Sequence, residues 1–83
     1  EAPCRIGAAG PAPLPVSPLP EHAIGLVQSV KYAERTTIRA ALKGSLDLAV
    51  AAFAHHPLID GVGVARELLE RARAEFPELG YLS

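Results

Sequence analysis

The sequence predicts a mainly α-helical chain. An N-terminal Pro/Gly-rich extended segment or edge β-hairpin over 1–19 leads into a helical region over 20–83, with helices at about 20–43, 46–55 and 61–76. Three observations predict it. Five of the eight prolines lie in residues 1–19. The stretch PEHAIGLVQSVKYAERTTIRAALK, from Pro20 to Lys43, keeps a helical pattern without interruption. Beyond it, Gly44-Ser45, Pro57 and Pro77 divide the remainder into pieces of helical length.

In the first segment, the apolar stretches Ala2–Ile6 and Ala12–Val16 flank the turn-forming Gly7-Ala8-Ala9-Gly10. This pattern suits a hairpin whose prolines confine it to the edge of a sheet. A two-stranded ribbon is marginal alone and normally extends a larger sheet. The segment therefore reads as a piece lacking its neighbours.

The long helix has a start and a stop. Pro20 suits a first helical position, and Gly44 suits the left-handed C-terminal cap. At about 100° per residue, Leu26, Val27, Val30, Ala33, Thr37, Ile38, Ala40 and Ala41 gather on one broad apolar arc. Lys31, Arg35, Arg39 and Lys43 follow one another at i+4 along the other side. They form a weak candidate anion-binding face, which a solvated helix surface outweighs as the reading of these four residues. Glu34 projects from the apolar arc with Val30 and Ile38 one turn away on either side. A buried, unpaired carboxylate is costly, so Glu34 is expected to be a structural buried carboxylate tying segments together, paired with Arg5, a histidine or a helix N-terminus.

Ser45 and Asp47 suit the cap and first turn of a second helix that is apolar nearly all round, a pattern of burial on several sides. Pro57 ends it, because the residue before a proline leaves the helical region. Asp60 is the expected cap of the third helix, in which Ala65, Leu68, Leu69, Ala72 and Phe76 make one stripe and Glu67–Arg71 an i,i+4 pair. The tail PELGYLS is ordered only if Leu79, Tyr81 or Leu82 docks.

Composition limits what such a chain does. With 83 residues, two Phe, two Tyr and neither Trp nor Met, its core is small and rich in alanine. Helices of this kind lean on a second copy or on a larger protein, and the chain reads as a fragment of something longer. A net charge of −1 argues against general affinity for nucleic acid or anionic membrane. One cysteine, Cys4, makes no intrachain disulfide, so a reducing cytoplasm is the default, and Cys4 reads as a small half-buried side chain. His55 and His56 are adjacent, so on a helix their rings diverge and a structural role outweighs metal binding. Gly7, Gly10, Gly61 and Gly63 do not build a phosphate-cradling loop between strand and helix. The residues alone give no catalytic, cofactor-binding or metal-binding set.

The order of signals carries more than any one of them. Glu1 to Cys4, Leu14 to Val16, Leu19-Pro20, Lys31 to Thr37, Ala41 to Ala52 and His56-Pro57-Leu58 together resemble the C-terminal end of the glycoside hydrolase family 4 enzymes, in particular the 6-phospho-β-glucosidase branch, over roughly residues 1–70. One departure is that Ala33 separates Tyr32 from Glu34, where the family usually sets the aromatic directly before the glutamate. The resemblance implies a C-terminal piece of a larger α/β, lactate/malate dehydrogenase-like enzyme in the cytoplasm. Such an enzyme hydrolyses phosphorylated disaccharides by a redox-assisted route using NAD and a divalent metal, typically manganese. It further implies that the catalytic and ligand residues lie upstream, that the partners are that upstream part and further copies in a homo-oligomer, and that the fragment is inactive alone. The competing expectation is a stand-alone helical oligomerisation or protein-interaction module.

Overall fold

The order of elements is a two-stranded hairpin, β1 (Cys4–Gly7) and β2 (Gly10–Pro13), then helices α1 (Glu21–Lys43), α2 (Leu46–Ala54) and α3 (Val62–Glu75), and a closing 3-10 helix (Pro77–Tyr81). The computed structural model describes residues 2–83. It is mainly helical with an N-terminal hairpin, as the sequence predicts.

Both strands lie closer to the turn than the apolar stretches suggest. Gly7 pairs with Gly10, and the register continues through Ile6–Pro11 and Arg5–Ala12 to Cys4–Pro13. The reversal is therefore tight: only Ala8 and Ala9 lie between the strands. Neither alanine takes a positive φ, and Gly10 supplies one at 98°, a conformation that glycine adopts without steric cost.

The turn's glycine lets the strands pair, and among the described residues no helix packs against the hairpin. The molecule measures 51 × 30 × 19 Å with a radius of gyration of 17.7 Å, against about 12 Å for a compact domain of this length.

Pro20 sits one position earlier than expected, as the N-cap of α1. It has no side-chain donor or acceptor to offer, but its carbonyl accepts from the N–H groups of Ala23 and Ile24, both at 3.0 Å. The helix runs about 34 Å and ends as expected, with Gly44 in the left-handed region at φ 63°. Ser45 then caps α2, its hydroxyl oxygen accepting from the Leu48 N–H at 3.3 Å. The expected cap of α3 is not there: Gly61, not Asp60, holds the position, without a side-chain bond. Gly61 brings its carbonyl to the Ala65 N–H at 3.0 Å, so the backbone opens this helix.

α2 packs on α1 and on α3, and among the described residues no direct packing joins α1 to α3. The core is the seam where α2 meets its neighbours: Ala40, Ala49, Val50, Ala65 and Leu69, with Leu46, Leu48, Phe53, Ala54 and Ile59 partly buried against it. On α1 the buried positions are Ala33, Thr36 and Ala40. Thr36, rather than the expected Thr37, lies inside. Leu26, Val27 and Ile38 remain exposed, as do Leu68 and Phe76 of the α3 stripe, because the apolar arcs are wider than the strips the nine-residue α2 covers. The tail does dock: Leu82 is buried. The Glu67–Arg71 pair forms at 2.6 Å on the solvent side.

Candidate functional site

Two surfaces hold most of the residues singled out from the sequence, and the larger of the two is apolar. Because α2 ends at Ala54 and the chain turns through Pro57, Leu58 and Ile59 come back beside α1. They close one end of an open groove of about 710 Å³, whose walls are Ala33 and Ile38 of α1 with Ala52 and Phe53 of α2. Glu34, Thr37 and His56 supply its polar edge. The Thr37 hydroxyl is already used, donating to the Ala33 carbonyl at 2.8 Å.

Glu34 corrects the expectation of a buried carboxylate. Its side chain is 53% exposed, and its Oε2 accepts from Lys31 Nζ at 2.7 Å, one turn back on the same helix. The partner is neither Arg5, nor a histidine, nor a helix terminus. The reason is geometric: Glu34 lies on the part of the apolar arc that α2 does not cover, so water and a local lysine satisfy it. An exposed pair of this kind contributes at most about 1 kcal/mol.

Lys31, Arg35 and Arg39 do share one face. Together with Val27, Gln28, Tyr32 and Thr36 they line a shallow depression of about 520 Å³. Lys43 is exposed at the C-terminal end of the same helix. Lys31 is engaged by Glu34, so the depression offers Arg35 and Arg39 as its unengaged cations among the described residues.

The histidines part company, as the sequence reading expected. The His55 ring stacks at a tilt on Tyr32, with centroids 4.6 Å apart, and its Nδ1 lies 2.8 Å from the Ala51 carbonyl. A carbonyl only accepts, so that nitrogen carries the proton. His56 does the reverse, its Nδ1 accepting from the Leu58 N–H at 3.2 Å. One ring thus braces α2 against α1, and the other fixes the bend that places Leu58.

These side chains offer an apolar groove and a cationic depression as contact surfaces. Among the described residues no three His, Cys, Asp or Glu side chains converge as a metal would require. Cys4, expected to be half-buried, is exposed on β1. Among the described residues no helix packs on its strand. Gly7 and Gly10 belong to the hairpin and Gly61 and Gly63 to the loop and first turn of α3, so no glycine turn leads from a strand into a helix to receive a pyrophosphate. The residues present fit neither a metal ion nor a dinucleotide. Among the described residues no helix is long and apolar enough to cross a membrane.

Sequence reasoning located Ala33, Ile38, Ala52 and Phe53 as apolar, but missed that Leu58 and Ile59 join them in one groove. The available signal was Pro57, which forces the chain to turn immediately before two large apolar residues.

The family 4 glycosyl hydrolase C-terminal domain matches residues 1–59. A probable 6-phospho-beta-glucosidase of Bacillus subtilis (strain 168) is 35% identical over 82 residues, which cover 94% of this chain and 19% of that protein. The phospho-alpha-glucosidase PagL of Clostridium acetobutylicum is 34% identical over 70 residues, covering 84% of this chain and 16% of the relative. The chain thus spans less than a fifth of the length of these curated relatives. No solved structure matches it. A profile match over most of the chain, in the order hairpin, long helix, apolar helix and His-Pro-Leu bend, makes this a member of glycosyl hydrolase family 4, whose C-terminal domain it carries.

Proposed function

We propose that this chain is the structural and subunit-contact portion of a 6-phospho-β-glucosidase that depends on NAD and a divalent metal, and that it is inactive alone. The observation that supports this reading best is the uncovered apolar surface, in a chain matching relatives about five times its length. Ile38 is 60% and Leu58 85% exposed at the groove. The opening between Phe53 and Ile59 is of a size that side chains of another segment fill. Burying one aliphatic side chain of this size contributes about 1.5–3 kcal/mol, more than the thin core of α2 derives from its alanines one by one.

On this reading NAD and manganese are held by residues outside this chain, and no step of the reaction is assigned to the residues here. The β linkage follows the relative that covers more of this chain; an α-linked substrate is the variant the assay must include. A charged sugar phosphate does not diffuse across a membrane, so the enzyme belongs where its substrate is made, in the cytoplasm. A helical oligomerisation module is the second reading, favoured by Leu26, Val27 and Leu42, which are exposed along α1.

Two measurements test the proposal together. The full-length polypeptide, supplied with NAD and Mn²⁺, should hydrolyse a chromogenic 6-phospho-β-glucoside, and the 83-residue chain alone should not. Calorimetric titration of the isolated chain with NAD and with Mn²⁺ should show no micromolar binding of either. Micromolar binding by the isolated chain would overturn the assignment of the chemistry to the rest of the enzyme.

A further inference from the structure

The hairpin has two outer edges, and they are chemically unequal. In an antiparallel pair, opposed residues alternate between those that exchange hydrogen bonds across the pair and those whose N–H and C=O groups point away from it. The Leu14 N–H donates to the Pro3 carbonyl at 2.9 Å. That bond places Pro3–Leu14 in the first class, and with it Arg5–Ala12 and Gly7–Gly10. Cys4–Pro13 and Ile6–Pro11 are then the pairs whose backbone groups point outward.

On β2 both outward positions are prolines, and the sequence continues the alternation at Pro15. The outer edge of β2 therefore has carbonyls but no donors, and cannot exchange a ladder with another strand. On β1 the outward positions are Cys4 and Ile6, each with an N–H and a C=O, and no other hydrogen bond in the described residues uses those two N–H groups. Opposed residues also share a face, so Cys4, Ile6, Pro11 and Pro13 present one apolar side, with Ile6 76% exposed. A two-stranded ribbon with one open edge, one sealed edge and an uncovered apolar face is half of a sheet.

The geometry points to β1 as the strand through which this domain joins the rest of the enzyme: an extended strand of the same full-length polypeptide pairs with the outer edge at Cys4 and Ile6, and β2 ends the sheet. This rests on the proposed function only in taking the occupant from the remainder of the longer chain. The relatives provide that remainder, more than four-fifths of their length. The prolines of β2 then act as a stop against edge-to-edge association.

Backbone amide exchange in the full-length polypeptide tests this directly. Cys4 and Ile6 should exchange about a hundredfold or more slower than in an unstructured peptide, whereas in the isolated 83-residue chain both should exchange freely. The double variant Cys4→Pro/Ile6→Pro removes the two outward donors while leaving the bonds through Arg5 and Gly7, and should lower the unfolding temperature of the full-length protein. Pro11→Val should not lower it. Unprotected Cys4 and Ile6 amides in the full-length protein overturn the proposal even if that protein is an active glycosidase. Protected amides in a protein without glycosidase activity sustain it and remove the functional reading instead. Protection that appears in the isolated chain and grows with its concentration assigns the edge to a second copy and also overturns it.

Discussion

The backbone N–H of Ser83 donates to the carbonyl of Gly44 at 2.9 Å, and Ser83 in turn accepts from the Leu46 N–H at 3.0 Å. The last residue of the chain is thereby fastened to the turn between α1 and α2. Gly44 permits the fit twice over: its φ is 63°, and a Cβ there would lie 3.2 Å from the Tyr81 carbonyl oxygen. Leu82, the residue before Ser83, is buried at the seam where α1, α2 and α3 approach.

Leu82→Ala should therefore destabilise the isolated chain by about 2–4 kcal/mol. Gly44→Ala should add to strain in the left-handed turn a displacement of the tail, for a loss of about 1–2 kcal/mol. Urea denaturation followed by circular dichroism reads both. A loss below 0.5 kcal/mol, roughly the noise of a surface substitution, for Leu82→Ala would mean that the tail does not hold the helices together.

Ser45→Ala removes the acceptor for the Leu48 N–H at the start of α2, and should cost about 1 kcal/mol. Asp60→Ala should cost much less, because Asp60 makes no cap at α3. Equal losses at the two positions would contradict the caps described here.

Glu34→Gln in the isolated chain should change stability by no more than about 0.5 kcal/mol, since only an exposed contact to Lys31 is lost. In the full-length enzyme the same substitution should cost more if the groove beside it is filled. Comparison of the two unfolding curves measures that difference, and equal small losses in both would leave Glu34 a solvated residue in either setting.

Arg35→Ala/Arg39→Ala tests the basic face. Glucose 6-phosphate titrated into the isolated chain should show no saturable binding tighter than about 1 mM, for the unaltered chain and the double variant alike. Saturable binding that the double variant loses would make the depression an anion site.

Much of the fold was legible in the sequence because its signals are local. Pro20, Gly44-Ser45, Pro57 and Pro77 act through their own backbone torsions and missing or added donors, so they fixed where helices begin and end to within a residue or two. The glycines around Ala8-Ala9 likewise located the hairpin turn, and the sequence of motifs carried the family. What the sequence left open was coverage. Periodicity showed an arc on α1 running from Leu26 to Ala41, but only the three-dimensional packing decided that Ala33, Thr36 and Ala40 meet α2 while Ile38 and Glu34 stay in water. That depends on where a short alanine-rich helix crosses a long one, which no single stretch of chain encodes. The same holds for Leu82, whose burial requires the turn at Gly44, nearly forty residues earlier, to be in place.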